Sequence, residues 1–298
     1  MNSIARGDAP SLTAPLGVLL SLTCSFAWAL GALSMAKARV HGGRTLSGYV
    51  VDRLSSIFFT VVYFLSTQRT LTLKPIVLAS FFVASFFGGV IGYLSYYAAI
   101  NTIGAGRTTM VNVLRPFLAA AISVPLFQEE ISSSILLGMI LVTLGILAVI
   151  RGEGSTQASS RGFLYALLAM SGFTLFPVFV RVGLDAGGHP AEGAMLSFIF
   201  SLAVYLLILN IFKEPTNLRE IPRRAALFYA LSGFFNAVGS IALIHALENA
   251  PIVVVLPVSN SYPFITVFLA TLLLKERLTS ALILGCVAIG LGITLVSF

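Results

Sequence analysis

Two stretches of this chain are one stretch written twice. Residues 110–130 (MVNVLRPFLAAAISVPLFQEE) return as residues 257–277 (PVSNSYPFITVFLATLLLKER). Adding 147 carries Pro116 to Pro263, Phe117 to Phe264, Leu126 to Leu273 and Glu129 to Glu276. The same offset continues from Gly138 to Gly285 and from Gly145 to Gly292. Six matches at one offset make a repeat, and a repeat limits the architecture before any local feature is read. Toward the N-terminus the offset becomes 145, taking Gly17 to Gly162 and Gly42-Gly43 to Gly187-Gly188.

Each copy is apolar and about long enough to cross a ~30 Å hydrocarbon core as a helix. Ten such segments follow one another, at roughly 14–37, 47–66, 76–100, 107–127, 133–150, 161–183, 193–212, 225–247, 252–274 and 279–297. β-type alternation is rare, so helices rather than barrel strands are expected. With 57% hydrophobic and 10% charged residues, against about 25% charged in soluble domains, a soluble globule is excluded. The fold class expected is therefore an all-α membrane protein of ten transmembrane helices.

Five segments form one repeat, at 14–150, and five the other, at 161–297. Five is odd, so the second unit enters the membrane upside down: an inverted repeat of the kind that recurs in secondary transporters. The Gly/Ser-rich link at 152–162 joins the two units. The first apolar run follows Arg6 and could mimic a secretory signal, but its place in the repeat assigns it to the fold. Clustered glycines such as Gly88, Gly89 and Gly92 predict close helix contacts. Cys24 and Cys286 both lie in apolar runs and define neither a disulfide framework nor a metal site.

The net charge of +7 reads as membrane topology rather than nucleic-acid binding. Loops opposite the N-terminus carry twelve basic residues and loops on its side carry four, with Arg53 and Arg115 inside the runs. The positive-inside rule then places both termini outside the cytoplasm.

The candidate site starts from Arg115. An arginine at mid-span costs roughly 2.5–3.5 kcal/mol on insertion scales and marks a functional site by default. Asn112 lies three residues earlier on the same helix face. Their repeat partners are Ser259 and Tyr262, with Asn260 alongside. If the halves face each other, these groups converge near the midplane, where Arg115 offers fork geometry to a carboxylate or phosphate. The alternative is a structural arginine satisfied by backbone carbonyls exposed beside Pro116. Pro116 and Pro263 each remove a backbone hydrogen bond and are expected to bend their helices as hinges. Tyr93, Tyr97 and Trp28 are expected to contact the apolar part of a substrate, and His245 is a further candidate because histidine is the side chain suited to proton exchange near neutral pH.

Several functions are excluded by absence. No GxxxxGK[ST] phosphate loop, HExxH helix or GxSxG elbow occurs, so no ATP motor, zinc hydrolase or serine hydrolase is encoded. No enzyme activity, cofactor or metal is expected. Asp52, Glu129, Glu130, Asp185, Glu248 and Glu276 lie toward segment ends, which predicts no carboxylate at depth and argues against a cationic substrate.

The chain resembles the drug/metabolite transporter superfamily, specifically ten-helix proteins built from two EamA-type domains. The resemblance rests on the five-plus-five plan, on the mid-segment prolines Pro116 and Pro263, and on the acidic turns Gln128-Glu129-Glu130 and Lys275-Glu276-Arg277 with glycines following at matched spacing. It implies a basket of the first, third, fourth, sixth, eighth and ninth helices around a central cavity, worked by alternating access. It also implies cytoplasmic termini, opposite to the loop charges. Aromatic amino acid exporters are one similar group. The expected function is a carrier in the inner cell membrane for a small organic metabolite, an amino acid or related carboxylate. A lipid or lipid-linked flippase is the alternative. Membrane lipids are the other expected partner, and a monomer is the working unit.

Overall fold

A computed structural model describes residues 13–43, 45–150, 159–211, 218–274 and 280–297. The turn Lys275-Glu276-Arg277, the N-terminal stretch before residue 13 and most of the 152–162 link lie outside the described residues. Among those described, every regular element is a helix. Eight helical stretches are long and apolar enough to cross a membrane, and two shorter apolar helices, Ser133–Ala148 and Ile283–Ser297, accompany them.

In chain order, α1 is Thr13–Val40 and α2 is Thr45–Ser66. The third pass comprises α3 (Pro75–Ala84), a π-helical segment (Ser85–Gly92) and α4 (Tyr93–Ile103). The fourth comprises α5 (Ala105–Asn112) and α6 (Arg115–Phe127), and the fifth apolar segment is the shorter helix α7 (Ser133–Ile150). The second unit holds α8 (Ser160–Asp185), α9 (Pro190–Ile211) and α10 (Arg223–Asn249). It closes with α11 (Ile252–Ser259), α12 (Tyr262–Leu274) and α13 (Ser280–Ser297).

The repeat extends to the helix ends. Adding 147 to the bounds of α5, α6 and α7 gives those of α11, α12 and α13, and adding 145 to α2 gives α9. The units interlock rather than sit side by side: α1 packs on α10, α7 on α13, and the third pass on α8 and α9. Small residues make this possible. A Cβ on Gly88 would lie 2.6 Å from Phe176, and one on Gly92 would lie 2.7 Å from Phe173. Where water cannot drive association, such close approach lets dispersion hold helices together.

Two expectations need correction. Pro116 and Pro263 do not bend continuous helices. The fourth and ninth passes are broken, at 113–114 and 260–261, and each proline is the second residue of the helix that follows. A proline in a helix's first turn removes no hydrogen bond, because that N–H has no intrahelical acceptor. The other concerns carboxylates. Asp52 lies within α2, is fully buried, and meets the middle of α10 through Asn236. A carboxylate does sit at depth, and the case against a cationic substrate loses that support.

Candidate functional site

The two helix breaks set the site. Each leaves backbone carbonyls without helical donors, and each places a polar side chain at the start of the next helix. Those side chains are the repeat partners Arg115 and Tyr262. Both line one cavity of about 200 Å3 between the two units. In the same measure a single water needs about 10–15 Å3, so the space suits a small metabolite.

Aromatic rings form a large part of the wall. Trp28 comes from α1, Tyr93, Tyr96 and Tyr97 from α4, and Phe173 and Phe176 from α8. Trp28 meets Tyr262 edge to face at 5.9 Å, and Tyr93 meets Phe173 in the same way at 5.4 Å. Trp28 fits because α10 carries Gly239 opposite it: a Cβ there would lie 2.5 Å from the indole. Ser232, Asn236 and Ser240 of α10 add polar groups. The wall also includes Arg53 of α2 and Phe198 of α9, so the second and seventh passes join the helices implied by the resemblance. On the far side of Tyr93 and Tyr97 a second void of about 300 Å3 reaches Arg39 near the end of α1.

Arg115 is buried and tied to the second unit. Its Nη2 donates to the Phe173 carbonyl at 2.9 Å and its Nη1 to Asn260 Oδ1 at 3.3 Å. The Phe173 carbonyl is free because its helical donor would be residue 177, which is Pro177, and proline has no N–H. A carbonyl released by a proline thus does satisfy this arginine, though the proline is on the sixth pass and not beside it. The guanidinium also sits 5.4 Å from the Phe173 ring, and its Nε remains buried without a hydrogen-bond partner.

Of the residues singled out in the sequence, Arg115, Trp28, Tyr93, Tyr97 and Tyr262 meet at the cavity. Asn260 stands behind them, accepting from Arg115 and donating to the Val113 carbonyl at 3.4 Å. Asn112 and Ser259 turn back on their own helices, bonding the Thr108 and Leu256 carbonyls. His245 is elsewhere, near the end of α10. It bonds Tyr63 Oη at 2.7 Å, faces Glu248 at 3.4 Å and stacks edge to face with His189.

The sequence reading missed a second polar centre. Arg53, only 3% exposed, pairs through Nε with Asp52 Oδ2 at 3.3 Å. Its guanidinium carbon lies 4.6, 4.7 and 5.0 Å from the ring centres of Tyr49, Tyr93 and Phe198. Asp52 Oδ1 accepts from Ser232 Oγ at 2.7 Å and Asn236 Nδ2 at 2.8 Å. The signal available was an Asp-Arg pair inside an apolar run, with Ser232 and Asn236 spaced one turn apart in another. Tyr93 and Phe173 connect the two arginines. Separations of 4.7, 5.4 and 5.4 Å along that chain of rings hold the two guanidinium carbons within 15.5 Å.

Comparison with known proteins gives a consistent picture. The family model of the EamA-like transporter family matches residues 15–151 and again 160–298. An uncharacterized transporter of Archaeoglobus fulgidus is 25% identical over 292 residues, covering 94% of this chain and 97% of its own. A Bacillus anthracis protein named as a candidate for sugar uptake is 22% identical, covering 89% and 91%. A crystal structure superposes with a TM-score of 0.80 over 94% of this chain and 95% of its own, at 15% identity. At that identity it speaks for the fold alone.

Proposed function

The chain belongs to the EamA-like transporter family, and from that premise we propose that it is an alternating-access carrier for a small organic carboxylate, an amino acid or close relative. It is a multi-pass membrane protein and a transporter, not an enzyme. We read it as ten passes in two inverted units, at 14–150 and 161–297, placed in the inner cell membrane with the two units rocking about the cavity. One observation carries the substrate reading: a small aromatic-walled cavity is lined by two buried guanidinium groups, with one buried carboxylate, Asp52, paired to Arg53 behind the wall. That excess of positive charge suits one anionic group, and the rings suit an apolar or planar body. In this reading Arg115, with Asn260 holding it, attracts the anionic group. Tyr262, Tyr93, Tyr97 and Trp28 bound the remainder, and the breaks before Pro116 and Pro263 let the halves flex.

The relatives named for sugar uptake support a second reading. Aromatic faces and the Ser232, Asn236 and Ser240 side chains would also suit a neutral sugar. Flux in proteoliposomes separates the two. Purified protein should take up labelled carboxylates saturably, competition by sugars should be weak, and Arg115→Ala should lower uptake. Saturable sugar uptake without carboxylate uptake would refute the carboxylate reading. Inhibition by lipids alone would move the assignment to a lipid substrate.

A further inference from the structure

We propose that Asp52 is a proton-coupling carboxylate, and that Arg53 takes over, in exchange for it, the anionic group that Arg115 draws into the cavity. A substrate anion entering the cavity becomes the counterion of Arg53. Asp52 takes up one proton from water as its ion pair is relieved, and it returns that proton to water on the other side when the anion leaves. One proton then moves with each monoanion, in the same direction and without net charge. The inference rests on the carboxylate reading above.

Asp52 is fully buried and Arg53 nearly so, and a buried charge persists only when compensated. Their contact is a single one, Nε to Oδ2 at 3.3 Å. Three rings within 5.0 Å surround the Arg53 guanidinium, so an anion meets it edge-on. At that edge Nη2 is buried without a hydrogen-bond partner, and Arg53 itself lines the cavity. A second anion there would put two negative charges beside the one guanidinium of Arg53, with Arg115 a Tyr93–Phe173 ring pair away, and protonating Asp52 removes that local excess. Ser232 and Asn236 hold the other Asp52 oxygen and also face the cavity, which brings the carboxylate within reach of cavity water. Tyr49 and Tyr93 border both Arg53 and the void that extends toward Arg39.

The charged and titratable groups facing Asp52 are few among the described residues. Arg53 and Tyr49 come from α2, and Tyr93 and Tyr97 from α4. From α10 come Ser232 and Asn236, and from α9 Phe198 and Ser201, none of which titrates. Among the described residues, Arg53 is the fixed charge in direct contact with Asp52.

The test is carboxylate flux in proteoliposomes carrying a pH-sensitive dye in the lumen. Wild-type protein should acidify the lumen only when substrate enters, and an inward proton gradient should drive accumulation. Asp52→Asn keeps an acceptor for Ser232 and Asn236. It should keep substrate exchange while losing both proton movement and the pH dependence. Ser232→Ala is a small change with little risk to folding. By removing one donor from the carboxylate it should shift the pH profile of uptake to higher pH. Proton movement persisting in Asp52→Asn, or an unshifted profile in Ser232→Ala, overturns the proposal. Wild-type carboxylate flux without protons overturns it alone. Absence of any carboxylate flux overturns the substrate reading and the proposal together.

Discussion

Arg115 and Pro177 should be thermodynamically coupled although they lie on different passes. Pro177 leaves the Phe173 carbonyl without its helical donor, and Arg115 Nη2 replaces that donor at 2.9 Å. Arg115→Ala orphans this acceptor, and a buried acceptor left unsatisfied costs about 1–3 kcal/mol. Asn260 Oδ1 loses its partner in the same variant. Pro177→Ala restores an N–H one turn after Phe173. In the wild-type background that N–H meets a carbonyl already bonded, so its added value is small. In the Arg115→Ala background it fills a vacancy worth about 1–2 kcal/mol. A double-mutant cycle, read from denaturant unfolding in detergent micelles, should show a coupling of that size. Pro125 lies inside α6, ten residues beyond Arg115, or roughly 15 Å along the helix. Pro125→Ala with Arg115→Ala should therefore be additive. Additivity to within about 0.5 kcal/mol for the Pro177 pair would refute the view that this arginine replaces a missing backbone donor.

Other perturbations probe other parts of the frame. Ser25→Ala removes the hydroxyl that donates to the Val258 carbonyl at 2.7 Å at the second break, and should lower unfolding stability by about 1–2 kcal/mol. Glu129 receives the Ile252 N–H at 2.7 Å and the Val253 N–H at 3.2 Å. Glu129→Ala should lose about 0.5–2 kcal/mol, as a removed helix cap does, measured in the same assay. Gly239→Ala drives a methyl into Trp28. It should cost about 1–3 kcal/mol by overpacking and reduce flux by pushing the indole into the cavity. His189 lies outside the spans. Burial, with Arg69 nearby, holds its pKa below the ordinary 6.5. The unfolded chain therefore binds this proton more readily, so stability falls as pH drops below 6.5. His189→Asn should flatten that part of a melting-versus-pH curve.

The frame of this fold is legible in the sequence because it follows from local chemistry. Proline cannot continue a helix but can begin one, so Pro116 and Pro263 mark the two breaks at the same place in each repeat. Glycine spacing likewise survives from one copy to the other. The Asp52–Arg53 centre is less legible because tertiary packing creates it. Asp52 lies early in its apolar run and reads there as an end residue. It is buried because α10 presses onto it, which Gly233 allows: a Cβ at that position would lie 2.2 Å from the Asp52 carbonyl oxygen. Arg115 is intermediate. Its depth follows from hydropathy, but Pro177 is sixty-two residues away, and only the packing of α6 on α8 brings the two together.

The hydrogen bonds at and near the breaks run both ways between the units, and that matters for motion. Arg115 of the first unit donates to Phe173 of the second, and Ser25 of the first to Val258 of the second. Asn260 of the second donates to Val113 of the first, and Glu129 of the first accepts from Ile252 of the second. Each unit thus satisfies backbone groups that the other leaves open. A buried unpaired group is costly wherever water is absent, so the units cannot separate at the breaks unless water replaces these partners. The cavity is where water is available. Motion of one unit against the other is therefore least costly where it opens the cavity to one side and wets one set of these bonds while the rest stay dry. Loosening a single tie, as in Ser25→Ala, should raise hydrogen exchange at the second break before it raises exchange at the first.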